Sequence, residues 1–300
     1  MISTELSVST SDATQWAVAG FLARYREPTR RSYTLDLRAF LGWCVSNDRD
    51  MLHVTRAELE LYLRHLESRG YAVATIARRV GTVATFYRYA VIDGLIPTNP
   101  ADAVTRPRVC WEGQRRTVLH PLEFAAILTA ARDAGPVEHA LVALLGMLGL
   151  RVSEACNADV TDLRYDSGYE LLHIVGKGAK PADIPLPIPV LRAVRQVIAE
   201  RTTGALLRTR TGRRLDRPAA ARMVARLAHR AGIAHPISPH GLRRTFCTSG
   251  LIAGVPIRDM QHAMRHSDPR TTLRYDMAKI NLDRHAAHAV AAYLAGMSTG

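Results

Sequence analysis

Apolar residues recur every three to four positions through the first third of the chain, which is the spacing of amphipathic helices. The pattern predicts four helices, at about Thr14 to Tyr25, after Pro28, after Thr55 and at about Val73 to Asp93. The third begins with a capping-box sequence, because Glu58 follows Thr55 by three residues. Four helices in so short a span predict a small bundle, which we place at residues 12–95.

The helical pattern breaks between residues 97 and 118, where three prolines, one glycine and four arginines occur without a period. Such a composition is typical of a linker between domains. We place the linker at residues 96–112 and a second domain at residues 113–296. The linker either lies along a binding partner or is an exposed tether, and the sequence leaves both open.

The second domain mixes helical and strand patterns. The sequence predicts a helix from His120 through Ala131 and a buried helix from Glu138 to Leu150. Two strand-like segments, Tyr169 to Val175 and Ala182 to Leu186, flank a glycine-containing turn and predict a β-hairpin. Further helices are predicted from Pro189 to the C-terminus. The chain is therefore expected to be mainly α with a small β-sheet.

The chain is strongly basic, with 40 Lys+Arg against 27 Asp+Glu and a formal net charge of +13. Because 47% of its residues are hydrophobic, it can bury a core, and the charge belongs to a folded protein. A basic folded chain favours a polyanionic partner, and nucleic acid is the usual one. A membrane surface fits less well, since no basic stretch carries bulky apolar residues on its other face.

The sequence predicts no metal cluster, no disulfide framework and no membrane segment. The four cysteines lie far apart without a C-x-x-C pair, and no third ligand accompanies His262 and His266. The N-terminus lacks the basic start and apolar core of a signal peptide. The longest uncharged apolar run, Ala140 to Leu150, is too short to cross a bilayer. We expect a soluble, cytoplasmic protein without a metal site.

Two motifs each contain a basic residue that is a candidate for a catalytic role. In G-L-R-V-S-E-A, residues 149–155, Arg151 follows an apolar run and lies at the edge of the core, unless it merely stabilises the last carbonyls of a helix. In G-K-G-A-K, residues 176–180, Lys177 lies between two glycines of the predicted turn. Only three of the 40 basic residues are lysines, and lysine, unlike arginine, can give up its proton. Lys177 is therefore a candidate acid, and a solvated turn lysine is the alternative.

A third motif, S-P-H-G-L-R-R-T at residues 238–245, has the sequence of a helix start. Ser238 is a good N-cap, and His240 and Arg243 fall three residues apart on one helical face. A helix start also offers free N–H groups to an anion. The motif predicts a phosphate pocket, with an ordinary capped helix as the alternative.

A fourth motif, M-R-H-S-D-P-R-T-T-L-R-Y, covers residues 264–275. A helix led by Pro256 is expected to end near His266, and Ser267-Asp268-Pro269 predicts the start of another short helix. Tyr275 lies nine residues beyond His266. Taken alone, Tyr275 would be an ordinary half-buried tyrosine.

In this order and spacing, the four motifs resemble the tyrosine recombinase (phage integrase) family. Arg243 and His266 are 23 residues apart, which matches the family pattern, as does the position of Tyr275. The resemblance covers essentially the whole chain, whose size and layout are similar to the Xer members. It implies an N-terminal helical, SAM-like core-binding bundle and a mixed α/β tyrosine recombinase catalytic domain.

The resemblance also implies the chemistry and the residues that perform it. The chain would cleave and rejoin DNA through a 3′-phosphotyrosyl intermediate, with neither ATP nor a metal nor another cofactor. Arginines would clamp the scissile phosphate, a lysine would protonate the leaving 5′ oxygen, histidines would bind the phosphate or assist the nucleophile, and a tyrosine would attack. The resemblance implies Arg151 and Arg243 as the phosphate clamp and Lys177 as the acid. It implies His240 and His266 as the histidines and Tyr275 as the nucleophile.

Partners are likewise implied by the resemblance. They are double-stranded DNA with specific recombination sites and further protomers, in a homotetramer or a heterotetramer with a paralogue, associated with the nucleoid in the cytoplasm. The last predicted helix, Asn281 to Gly296, either packs on its own domain or docks on a neighbouring protomer. Two rival functions stay open: a type IB topoisomerase, and a DNA-binding protein that has lost catalysis.

Two departures from the family pattern affect the site. Arg265 stands where the family usually has glycine, so its side chain either narrows the pocket or adds a phosphate contact. Pro181, Ala182 and Asp183 follow Lys180 where the family often has a basic residue, which leaves the hairpin's DNA contacts in doubt.

Overall fold

The computed structural model describes residues 12–107, 118–176, 179–266, 268 and 272 of the chain. The described residues fall into two compact units, which meet in sequence at residue 114. Both units are mainly helical, and the second contains a three-stranded sheet, so the predicted fold class is confirmed. No helix among the described residues is long and apolar enough to cross a membrane.

The first unit is a bundle of four helices, as the periodicity predicted. They are α1 (Asp12–Ala23), α2 (Thr29–Ser46), α3 (Arg56–Ser68) and α4 (Val73–Ile92). The predicted capping box begins α3: the Thr55 N–H donates to Glu58 Oε2 at 2.8 Å, and the Glu58 N–H donates to Thr55 Oγ1 at 3.4 Å. Aromatic rings fill the core, with Phe40, Tyr62 and Tyr87 almost completely buried.

The core of the bundle continues beyond its last helix. Ala101 and Val104, which lie inside the predicted linker, are buried against the same cluster as the helices. The first part of that segment is therefore packed on the bundle, while residues 108–112 lie outside the described residues. The limits that we assigned to the two domains stay a prediction.

The second unit surrounds the apolar helix α6 (Pro136–Gly146), whose residues from Ala140 onward are all buried. The other α-helices among the described residues of this unit are α5 (Pro121–Ala134), α7 (Val152–Asn157), α8 (Ile188–Ile198), α9 (Arg217–Arg230), α10 (Pro239–Ile252) and α11 (Ile257–Met264). A helix that is apolar on every side needs neighbours on every side. Helices α5, α8, α9 and α10 provide them.

The sheet is an antiparallel meander of β1 (Leu163–Asp166), β2 (Tyr169–Val175) and β3 (Pro181–Pro185). The predicted hairpin of β2 and β3 is confirmed, with His173 opposite Asp183. Strand β1 was not predicted. Its four residues are mostly exposed, so the sequence there lacks the alternation of apolar and polar positions that marks a half-buried strand.

The prediction of one helix from Glu138 to Leu150 was wrong at its end. Helix α6 stops at Gly146, and the chain then turns through Gly149, whose φ of +61° lies in the left-handed region. The apolar run predicted burial correctly, since Leu148 and Leu150 are buried, but burial does not require a helix. As a result Arg151 does not follow the end of a helix; it is the N-cap of α7.

The turn at Gly149 provides a direct test of this architecture. We expect Gly149→Ala to lower the free energy of unfolding by about 3 kcal/mol or more. An added Cβ would lie 2.3 Å from Cδ1 of Phe246, in a backbone conformation that L-residues disfavour. Urea denaturation of both variants measures the difference.

Gly232→Ala is the matched control for this measurement. Gly232 also has a positive φ, of +70°, but a Cβ there meets nothing within 4 Å. Only the backbone strain of about 1 to 2 kcal/mol should remain. Equal losses in the two variants would contradict the close packing of Phe246 on Gly149.

Candidate active site

Arg151 lies at the start of α7, where its own backbone and side chain are held by neighbours. Its N–H donates to Glu154 Oε2 at 2.7 Å, and its Nη1 donates to Glu154 Oε1 at 2.7 Å. Its Nη2 donates to the carbonyl oxygen of Arg265 at 3.0 Å. The side chain remains 30% exposed, so the guanidinium is fixed without being enclosed.

Glu154 is a carboxylate shared by two arginines. It is 4% exposed, and Arg265 Nη2 donates to its Oε2 at 2.7 Å, while Arg151 occupies its Oε1. Burial alone would raise the pKa of Glu154, but the Arg265 charge and the hydrogen bonds from Arg151 outweigh it and hold the pKa below its usual value. The Glu154 side chain is therefore ionised at neutral pH.

Helix α10 begins as the third motif predicted. The Gly241 N–H donates to Ser238 Oγ at 3.1 Å, and Pro239 is the first helical residue. His240 is exposed in the first turn. Arg243, one turn further on, is only 2% exposed, so the two side chains share a helical side but differ in depth.

Arg243 ties together the two segments that carry the first and fourth motifs. Its Nη1 donates to the carbonyl oxygen of Gly149, and its Nη2 donates to the carbonyl oxygen of Met264. A planar guanidinium is suited to this task, because its five N–H donors point in fixed directions. The buried arginine therefore fixes the turn before Arg151 relative to the end of α11.

His266 follows the end of α11, and its ring is held in place. Nδ1 lies 2.9 Å from Oγ1 of Thr272, a completely buried residue three positions before Tyr275. Burial lowers the pKa of His266 to about 4, and the positive charges of Arg243, Arg151, His240 and Arg265 lower it in the same direction. The imidazole is therefore neutral at physiological pH.

The structure thus brings four of the six predicted residues into one cluster: Arg151, His240, Arg243 and His266. The other two, Lys177 and Tyr275, lie outside the described residues, and their places in the site stay predictions. The neighbour of Lys177 is described. A Cβ built on Gly176 would lie 3.5 Å from Glu154 Oε1 and 4.0 Å from Arg151 Nη1, so this end of the hairpin adjoins the cluster.

The unusual acidic residue of the hairpin, Asp183, is paired within the sheet. Its Oδ1 lies 2.8 Å from His173 Nδ1 and 3.9 Å from Arg164 Nη1. These cross-strand contacts supply Asp183 with partners on β2 and β1. Among the described residues, no group of three or more His, Cys, Asp or Glu side chains is arranged to hold a metal ion.

Sequence reasoning assigned no role to Glu154 or Thr272. For Arg265 it left open whether the side chain narrows the pocket or adds a phosphate contact, and in the structure the guanidinium pairs with Glu154. Glu154 had a usable signal, since an acidic residue three positions after Arg151 at a helix start can accept from the N-cap N–H. Thr272 and Arg265 had none, because their contacts with His266 and Glu154 depend on the folded chain.

Two family models match the chain. The model described as "Phage integrase family" matches residues 117–280, and the model described as "Phage integrase, N-terminal SAM-like domain" matches residues 21–94. One match lies in each unit. The first match includes all six predicted residues of the site.

Relatives with similar sequences are named tyrosine recombinase XerC. One from Mycobacterium sp. (strain KMS) is 33% identical over 269 residues, covering 82% of this chain and 87% of the relative. Another from Mycobacterium tuberculosis (strain ATCC 25177 / H37Ra) is 30% identical over 281 residues, covering 87% of this chain and 92% of the relative.

Solved structures with the same fold include DNA complexes of two integrases. A lambda integrase dimer bound to a COC′ core site matches with a TM-score of 0.75 at 18% identity, covering 90% of this chain and 96% of that chain. The Tn1549 transposon integrase in complex with circular intermediate DNA matches with a TM-score of 0.72 at 21% identity, covering 94% and 99%. A lambda integrase tetramer bound to a Holliday junction matches with a TM-score of 0.74 at 17% identity, covering 91% and 78%.

Proposed function

Because the chain belongs to the phage integrase family and is a tyrosine-type site-specific DNA recombinase, we propose that Tyr275 is its nucleophile and that the cationic cluster around His266 is its phosphate site. Tyr275 attacks the scissile phosphodiester and becomes linked to the 3′ phosphate, and the free 5′ hydroxyl of another strand later reverses the link. The observation that carries this proposal is the convergence of Arg151, His240, Arg243 and His266 from three separate segments of the chain.

The two arginines fit the charge that develops during the reaction. When an oxygen attacks a phosphodiester, negative charge grows on the equatorial oxygens, and preorganised cations stabilise it as it grows. Arg151 donates to the carbonyl oxygen of Arg265, and Arg243 donates to that of Met264. Both acceptors belong to the fourth motif. Their positions are set before DNA binds, so little reorganisation is needed at the moment of reaction.

The nucleophile requires help, because a phenol with a pKa near 10 is only about one part in a thousand ionised at pH 7. His266 is neutral there and can accept a proton or hydrogen-bond the phosphate. We assign His240, in the first turn of α10, to a hydrogen bond with the same phosphate. Since Nδ1 of His266 pairs with Thr272, we assign Nε2 to the substrate.

In each strand exchange one bond to phosphorus forms as another breaks, so the reaction needs no external energy source. In cleavage, the bond from Tyr275 Oη to phosphorus forms while the bond from phosphorus to the 5′ oxygen breaks. We assign the proton that the departing 5′ oxygen takes up to Lys177, because an ammonium can release one whereas a guanidinium cannot. The phosphotyrosyl ester conserves the energy of the broken bond for resealing, so the proposed cycle uses neither ATP nor a metal.

We propose that the protein acts on double-stranded DNA containing specific recombination sites and that four protomers join two such sites. The lambda integrase tetramer bound to a Holliday junction supports this assembly, since it shares the fold. The tetramer is either homomeric or shared with a paralogue, and we place its activity at the nucleoid in the cytoplasm. The basic charge of the chain fits such a partner.

A two-site assay tests the proposed function. The DNA site is first isolated by selecting bound sequences from a random library with the purified full chain. A supercoiled plasmid with two copies in direct repeat should then yield two smaller circles, whereas a plasmid with one copy should remain supercoiled. Relaxation of both plasmids without exchange would instead identify a topoisomerase. Binding without either reaction, and without an SDS-stable adduct on a nicked suicide substrate, would identify a protein that has lost catalysis.

A further inference from the structure

Arg265 is a residue with an unusual backbone conformation and a side chain whose two terminal nitrogens are both hydrogen-bonded. It ends α11 in the left-handed conformation, with φ +51° and ψ +45°, where glycine is favoured because other residues are strained. Its guanidinium nevertheless donates to Glu154 Oε2 at 2.7 Å and to the carbonyl oxygen of Ala263 at 2.9 Å. A strained backbone conformation persists only where the surrounding contacts hold the residue in it.

We propose that Arg265 is a positioning residue for strand cleavage, completing an Arg151–Glu154–Arg265 bridge that holds the Arg151 guanidinium at the scissile phosphate. The inference rests on the role proposed above for Arg151. It goes further because it assigns a function to a side chain at a position where glycine would satisfy the backbone.

The bridge fixes Arg151 through both the side chain and the main chain of Arg265. Arg265 Nη2 and the Arg151 N–H both donate to Oε2 of Glu154, while Arg151 Nη1 donates to Oε1. The carbonyl of Arg265 accepts from Arg151 Nη2. Two of the five donors of Arg151 are thereby used, and the remaining donors are held in a defined direction.

Arg265 also changes the charge that the site presents. Arg151 and Glu154 alone would sum to zero, which would weaken the attraction of Arg151 for a phosphate. Arg265 makes the group positive overall, so Glu154 can orient Arg151 without cancelling it. Arg265 itself is 16% exposed, and its Nε is buried with no acceptor among the described residues. Its guanidinium is directed to Glu154, so it acts through Arg151 and not on the substrate.

The test compares variants in single-turnover cleavage of a nicked suicide substrate at saturating DNA. Arg265→Gly removes the guanidinium and suits the left-handed backbone, so the protein should fold as well as wild type while its cleavage rate constant falls by about tenfold. DNA affinity should change by less than about threefold, because the remote binding contacts are intact. Arg265→Lys keeps a donor and a charge for Glu154 and should recover part of the lost rate.

Two comparisons separate this role from a general loss of positive charge. Arg258→Ala removes an exposed arginine from the same helix and should leave the cleavage rate constant unchanged. In a Glu154→Gln background, Arg265→Gly should cost much less than in wild type, since the bridge is already broken. Additive losses, a wild-type rate in Arg265→Gly, no recovery in Arg265→Lys, or an equal loss in Arg258→Ala would each overturn the proposal.

The same experiment distinguishes this inference from the proposed function on which it rests. Tyr275→Phe is run beside the series. An SDS-stable adduct in Tyr275→Phe would refute the nucleophile and with it the proposed mechanism. If the adduct is lost in Tyr275→Phe but forms at the wild-type rate in Arg265→Gly, only the positioning role of Arg265 is refuted.

Discussion

Tyr275→Phe is expected to reduce formation of the covalent protein–DNA intermediate by at least about a thousandfold, to below detection, while DNA-site affinity stays within about twofold of wild type. The substitution removes one oxygen atom and keeps the ring, so packing and charge are preserved. Without the phenol there is no oxygen at that position to form the bond to phosphorus. Recombination between two sites should disappear together with the adduct.

The measurement uses a nicked suicide substrate, in which the cleaved fragment diffuses away and the adduct accumulates. Adducts are resolved on SDS gels, and peptide mapping of the wild-type adduct should find the DNA on the peptide containing Tyr275. Tyr165→Phe is the matched control, because Tyr165 is an exposed ring on β1 with no proposed role and should react like wild type. An adduct that persists in Tyr275→Phe would remove the nucleophile from this position.

Local sequence signals predicted local structure well. The capping box at Thr55 and the N-cap at Ser238 involve residues three positions apart, and both hydrogen bonds are present. The β2–β3 hairpin was likewise predicted from two short segments and the turn between them. In each case the partners are neighbours in sequence, so the pattern alone contains the information.

The hydrogen bonds that join distant segments at the candidate site could not be predicted in the same way. Nothing near Arg243 in sequence indicates that its guanidinium binds the carbonyls of Gly149 and Met264, because carbonyl acceptors are present in every residue. The end of α6 at Gly146 could not be predicted for a related reason. The apolar residues continue through the turn that follows the helix, because that turn is buried as well. Sequence reasoning therefore named four residues that the structure brings together, Arg151, His240, Arg243 and His266, but not the contacts that hold them there. The places of Lys177 and Tyr275 in the site stay predictions.

Arg243→Ala is expected to have the second large effect, on stability and on catalysis together. The guanidinium is buried, and its loss leaves the carbonyls of Gly149 and Met264 without their donor. Each unsatisfied buried acceptor costs roughly 1 to 3 kcal/mol, so the loss of a donor to two of them should lower the free energy of unfolding by about 2 to 6 kcal/mol. Strand cleavage should fall by at least about a thousandfold, because the phosphate loses a cation and the fourth motif loses its attachment.

Arg243→Lys separates the two effects. An ammonium keeps the charge, but as a compact group it cannot donate in two divergent directions with the geometry of a guanidinium. We expect it to recover less than half of the lost stability and to remain at least about a hundredfold slower in single-turnover cleavage. Urea denaturation and the suicide-substrate assay, done at a temperature where circular dichroism shows each variant folded, measure the two quantities independently.

Arg192→Ala provides the matched control, because Arg192 is an exposed arginine on α8 and its removal should change stability by no more than about 0.5 kcal/mol. If Arg243→Ala were as stable as this control, the guanidinium would not bridge the Gly149 turn and the end of α11. If it were unstable but cleaved DNA at the wild-type rate once folded, Arg243 would be a structural residue only. The phosphate clamp would then need another partner for Arg151, since Arg243 is the other arginine that the proposed mechanism assigns to the scissile phosphate.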